Sequence, residues 1–184
     1  MASIIKSNTY ADFNGREILT ADSDGNLTTQ KTNYPMFLVE LSSNQTISNN
    51  TYTKVQFDST TFDTESYWDS TNYRYTPLVA GKYFFYADVF NVSSASTTLI
   101  YSECGLSKNG AQVYDNYFDG RVNYVRGVPM QKCAVIDMNG TTDYLEVETY
   151  IGLSSGTPTV TASAAGGRAT FFGGFRIGSY PWRS

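Results

Sequence analysis

Three segments far apart in the chain carry large apolar side chains on both of the faces that alternate along a strand. In residues 169–178, Phe171, Phe175 and Ile177 fall on one side and Phe172 on the other. Residues 82–90 place Tyr83, Phe85, Ala87 and Val89 on one face, and Phe84, Tyr86 and Phe90 with Asp88 on the other. Residues 35–41 set Phe37, Val39 and Leu41 against Met36 and Leu38. A strand in a lone sandwich needs one apolar face, because its other side meets water. Strands that are apolar on both sides need a second cover. If these three are neighbours, the inner side of their sheet fills a core. The outer side is then a larger apolar patch than a soluble monomer tolerates. Another copy of the chain is the cover this predicts. Residues 143–153 behave differently. There Leu145, Val147 and Ile151 point one way, and Tyr144, Glu146, Glu148 and Tyr150 point the other, towards water. One sheet apolar outside and one wet outside predicts closed symmetric association through the apolar sheets.

The rest of the chain fits an all-β fold. Aromatic residues reach 15% of the 184 residues, with 15 Tyr and 11 Phe, and only 16% are charged. Tyr, Phe, Thr and Val favour strands, and Asn, Gly, Ser and Asp favour the turns between them. Lys108-Asn109-Gly110, Asn139-Gly140 and Ser154-Ser155-Gly156-Thr157-Pro158 read as turns. Short strands punctuated in this way form a sandwich or barrel. An immunoglobulin-like sandwich is the alternative, but the chain lacks the Cys…Trp…Cys spacing that would support it. Residues 1–33 are polar and weakly periodic. They read as an N-terminal arm of short strands and turns, with 34–184 as the globular head.

Several classes of function are disfavoured. The net charge of −4 and the scattered Lys and Arg give no footprint for nucleic-acid phosphates. No apolar run approaches a membrane span. The start, Met1-Ala2-Ser3-Ile4-Ile5-Lys6, lacks the apolar stretch of a signal peptide, so this form is expected to be mature, cytoplasmically made, or released without the secretory route. There is no histidine, which removes the commonest general base and zinc ligand. No cofactor and no metal are expected, and no catalytic residue is assigned. Asp22-Ser23-Asp24-Gly25-Asn26 has part of a calcium-loop pattern but lacks the later ligands, and reads as a turn. Glu146 and Glu148 flanked by Tyr144 and Tyr150 would be the carboxylates of a carbohydrate-active enzyme. They stand on one side of one strand, and a solvated strand face is the preferred reading. Cys104 and Cys133 read as two small buried hydrophobes, with a single bridge left open.

Tyr75-Thr76-Pro77-Leu78-Val79-Ala80 followed by Gly81-Lys82-Tyr83-Phe84-Phe85 is similar to a "F-T-x-P-x-x-G-x-Y-x-F" signature. Leu106-Ser107-Lys108-Asn109-Gly110 matches an "L-x-K-N-G" turn, and Phe172-Gly173-Gly174-Phe175 matches a closing "F-x-G-F". In this order these resemble the globular heads of complement component one, subcomponent q, which share the tumour-necrosis-factor (TNF) jelly roll. The resemblance implies a ten-stranded jelly-roll sandwich that assembles as a homotrimer through the sheet holding the Tyr83 strand. Placed in that sheet, the two-faced strands make Met36, Leu38, Phe84, Tyr86, Phe90, Phe171 and Phe175 the candidate contact residues and put Phe172 in the core. No Gly-X-Y stalk precedes the head, and Thr142-Asp143-Tyr144-Leu145-Glu146 stands where the family has "G-D-x-V-W". Ser3-Ile4-Ile5-Lys6 and the phrases through Gly25-Asn26-Leu27-Thr28 resemble the virion-attachment starts of tailed-bacteriophage fibre and appendage proteins.

These readings lead to one expectation. The chain is a bacteriophage virion structural protein, a homotrimeric fibre, spike or capsid-decoration component located on the virion and assembled in the host cytoplasm. Residues 1–33 attach it to other virion proteins. The head meets a host surface glycan or protein, or only decorates or braces the particle. Tyr67, Trp68, Tyr73, Tyr114 and Tyr117 are the candidate recognition residues, because rings mixed with amides and acids suit such contacts; loop packing, with Trp68 tucked against the sandwich, is the other reading of these segments. A soluble non-viral binding module of the same family is the alternative, and a carbohydrate-active enzyme a remote one.

Overall fold

The computed structural model describes residues 9–11, 17–21, 23–24, 27–29, 34–122, 125–164 and 166–178. Every regular element among these residues is a strand. The chain forms two compact units, Met1–Tyr34 and Pro35–Ser184.

In the first unit, β1 (Thr9–Ala11), β2 (Glu17–Ala21) and β3 (Leu27–Thr29) make a three-stranded antiparallel sheet. Most of the acidic turn at 22–26 lies outside the described residues.

The second unit opens with β4 (Met36–Glu40), β5 (Gln45–Thr46), β6 (Thr53–Lys54), β7 (Ser59–Asp63), β8 (Trp68–Asp69) and β9 (Arg74–Tyr75). The long strands follow: β10 (Gly81–Ser93), β11 (Leu99–Lys108), β12 (Ala111–Asp119), β13 (Gly127–Met138) and β14 (Leu145–Leu153). It closes with β15 (Pro158–Val160), β16 (Ser163–Ala164), β17 (Gly167–Arg168) and β18 (Phe171–Gly178). Two antiparallel sheets result. One runs β13-β10-β18-β4-β7, with β15 and β5 continuing beside the last residues of β10. The other runs β12-β11-β14-β9-β8, and β6 also pairs with β14. The three two-faced segments are therefore adjacent, with β18 between β10 and β4.

The core lies between the sheets and is largely aromatic. Burial along β10 alternates without a break over its 13 residues, and Tyr83, Phe85, Ala87 and Val89 point inward. Phe37 and Val39 from β4 and Phe172 from β18 join them with no exposed surface. The Phe37 and Tyr75 rings stack at 3.9 Å, and Phe172 meets Phe37 edge-on at 4.9 Å. Phe172 is thus in the core, as the family resemblance implies for its side of the strand.

The paired glycines of β18 have a steric cause. A Cβ on Gly174 would sit 2.5 Å from a Phe85 ring carbon, and one on Gly173 2.5 Å from the Tyr86 hydroxyl. Register sets Phe85 beside Gly174 and Tyr86 beside Gly173. Each glycine is the floor on which an aromatic ring of the neighbouring strand lies.

Candidate functional site

The outer face of the β13-β10-β18-β4-β7 sheet is apolar across all five strands. Register aligns Met36, Phe175, Phe84 and Val135 in one row. The next row is Phe62, Leu38, Gly173, Tyr86 and Cys133. Phe84 and Phe175 are 5.6 Å apart between ring centres, and Tyr86 and Phe171 6.2 Å. Met36, Phe62, Val135, Phe175 and Ile177 each keep between 40% and 47% of their surface exposed. Of the seven candidate contact residues, six cluster here; Phe90 lies on the same face towards its far end, beside Pro129. Phe62, Val135 and Ile177 complete the patch. Ile177 follows from the alternation of its strand; for Phe62 and Val135 the same signal is spread over short or mixed strands, where it is harder to read.

One residue of this face differs from expectation. Cys133 is exposed, not buried, because β13 points it outward beside Tyr86; Cys104 is buried in the other sheet, and both thiols are free. Asp88 interrupts the patch. Gln131 Nε2 donates to its Oδ2 at 2.8 Å, while Oδ1 is buried with no hydrogen-bond partner. Burial among apolar neighbours raises the Asp88 carboxyl above its ordinary range, against the pull of the Gln131 bond. A shallow hollow of about 470 Å³ lies here, lined by Phe84, Tyr86, Asp88, Gln131 and Phe171.

The opposite outer face, on β12-β11-β14, carries tyrosines around a carboxylate. Glu103 stands between Tyr150 of β14 and Tyr117 of β12. Tyr52 donates its hydroxyl to Glu103 Oε2 at 2.5 Å, and its ring packs on Tyr150 at 5.1 Å. Tyr101 stacks on Tyr117 at 5.6 Å. The loop bearing Tyr52 is pinned to β14. Asn49 exchanges two hydrogen bonds with the Leu153 backbone, at 3.0 and 2.8 Å, and the Asn50 amide donates to Ile151 O at 2.9 Å. Asn50 takes the left-handed conformation, φ 55°, that Asn tolerates, and its Oδ1 accepts the Tyr150 hydroxyl at 3.1 Å. The hydrogen bond to Glu103, then burial, push the Tyr52 phenol up to about 12.

The five candidate recognition residues do not converge. Trp68 packs on Phe37, Phe57 and Phe172, and Tyr67 on Tyr75, so both buttress the core. Tyr73 is half-buried in a left-handed turn, φ 53°. Tyr114 and Tyr117 are exposed but point to opposite sides of β12, because they lie in the rows of Leu106 and Glu103 respectively. Sequence reading missed Tyr52, Tyr101, Glu103 and Tyr150 as a group. They come from three separate segments, and only the outward alternation of 99–108 and 145–153 hinted at them.

Glu146 does not face water as expected; it is 4% exposed. β6 pairs with β14, which brings Lys54 over the Glu146 carboxylate in an ion pair. Glu148 accepts the Ser107 hydroxyl at 2.5 Å. Among the described residues, no group of three or more Cys, Asp or Glu is placed to hold a metal ion.

No protein-family model and no curated protein matches the sequence. Solved structures do resemble the fold. Eiger TNF from S. frugiperda aligns with a TM-score of 0.55 at 11% identity, over 82% of this chain and 96% of that one. The globular domain of zebrafish complement 1qA protein gives 0.54 at 13%, over 79% and 99%. Murine APRIL at pH 5.0 gives 0.56 at 10%, over 78% and 99%. Identities this low establish the architecture alone. The protein is an all-β, TNF-like jelly roll of the kind seen in TNF ligands and complement heads.

Proposed function

We propose that the protein is a homotrimeric structural component of a bacteriophage virion, a fibre, spike or decoration head that acts by binding and carries out no catalysis. The observation that carries the trimer is the five-stranded apolar outer face. A patch this continuous marks an interface, and a jelly roll that buries one sheet against two further copies closes the assembly without leaving an open end. The virion context rests on the resemblance of the N-terminal phrases to appendage attachment segments. In this reading, residues 1–33 join other virion proteins, and the faces outside the trimer are free to meet a host surface glycan or protein. Three weak contacts held together would gain avidity without one strong pocket.

Light scattering on the intact chain tests the assembly, with three copies expected at micromolar concentration. Phe175→Asp should release monomers that remain folded. A stable wild-type monomer would overturn the trimer. The virion role is checked by co-purification of the chain with phage particles, and by capsid and tail genes beside its own.

A further inference from the structure

We infer that the tyrosine face around Glu103 is a binding site for an uncharged glycan. This deepens the recognition half of the proposed function and rests on it; it adds the site and the ligand class.

The outer side of a sandwich sheet that meets only water is usually polar. Here Tyr52, Tyr101, Tyr117 and Tyr150 form two ring pairs on either side of one carboxylate. Tyr52 and Tyr117 remain about half exposed, at 49% and 54%. The rings are held in advance of any ligand. Tyr52 is fixed by Glu103, and Tyr150 by Asn50. Tyr101 lies against Gly152, where a Cβ would come within 3.2 Å of its ring. A rigid aromatic contact costs little ordering entropy on binding.

The chemistry matches a sugar. A pyranose has a C–H face that lies on a ring and a rim of hydroxyls that donate hydrogen bonds. The rings supply the first contact, and the Glu103 carboxylate and the Asn50 amide supply acceptors for the second. The charge narrows the class. Asp115 and Glu148 flank Glu103 on the same face. Among the described residues the nearby cations are paired, Lys54 with Glu146 and Arg121 with Asp119, and the Arg121 guanidinium also lies 5.2 Å over the Tyr101 ring. A surface on which carboxylates outnumber these paired cations repels uronic, sialic or sulfated sugars and admits neutral ones. The face also points away from the apolar sheet, so assembly through that sheet leaves it open.

The test uses the full-length protein and a panel of soluble oligosaccharides of glucose, galactose, mannose and N-acetylglucosamine. Sulfated and uronate oligosaccharides run in parallel, with binding read by titration calorimetry. Binding of at least one neutral glycan is expected. Tyr117→Ala and Glu103→Gln should each weaken it at least tenfold, with melting behaviour unchanged because Tyr117 is an exposed edge residue and Gln keeps the shape of Glu. No neutral glycan bound at millimolar concentration would overturn the inference, as would equal affinity in both variants or preference for the anionic set. Light scattering on the same samples separates the two readings. A monomer that binds as described refutes the trimer and leaves this site standing; an intact trimer that binds nothing does the reverse.

Discussion

Asp88 is the residue most out of keeping with its surroundings. Its carboxyl sits on the apolar face with one buried oxygen unpartnered, and burial raises its pKa. Between the ordinary Asp value and the raised one, the folded chain holds a proton that the unfolded chain has released. Its stabilising effect is therefore complete below that window and lost as pH rises through it. Asp88→Asn removes this dependence. Urea midpoints at pH 4 and pH 7 should lie closer together in the variant, with the variant more stable at pH 7. Tyr52 offers a second pH readout. In Glu103→Gln its phenol should titrate well below the wild-type value of about 12, as followed by NMR of labelled tyrosine. Gly174 gives a steric prediction. Gly174→Ala drives a methyl into Phe85 and Phe37 and should cost about 1–3 kcal/mol by denaturant unfolding.

At the scale of elements, β18 joins the two halves of its sheet and presents both faces. Its inner side can be lost only at the expense of the fold. Phe172→Ala empties the centre of the aromatic cluster and should destabilise by about 3–5 kcal/mol. Its outer side is the one proposed to act between copies. Phe175→Asp should weaken assembly by about 2–4 kcal/mol per contact while leaving the monomer folded. Opposite effects from residues three apart on one strand are the signature of a two-faced strand. If Phe175→Asp unfolds the chain or leaves the trimer intact, the outer-face assignment fails. β6 has a comparable role for its length. Its Lys54 covers the buried Glu146, and Lys54→Ala should cost about 1–3 kcal/mol by leaving that carboxylate uncompensated. Glu146→Gln in the same background should recover part of the loss.

For the whole molecule, assembly should appear in the melting temperature. If the apolar sheets meet between copies, the melting temperature rises with protein concentration; a concentration-independent transition would indicate a monomer. Much of the fold was legible in the chain. Alternation in 82–90 separated Tyr83, Phe85, Ala87 and Val89 from Phe84 and Tyr86, because strand side chains have a strict period of two. The turn residues marked the ends of β11 and β14. The order of short motifs pointed to the jelly roll. What escaped depended on neighbours that sequence does not name. Cys133 is as apolar as Cys104, yet the register of β13 against β10 turns it outward. Glu146 alternates with core residues and should be wet, but a two-residue strand from another part of the chain sets a lysine over it. By itself, then, the sequence determined that the chain is all-β and that three of its strands are apolar on both sides. Tertiary structure decided that those strands are adjacent, so that separate stripes became one continuous face. It also gathered Tyr52, Tyr101, Glu103, Tyr117 and Tyr150 onto the opposite side. Local chemistry sets which way a side chain alternates, but only the pairing of distant strands sets what stands beside it.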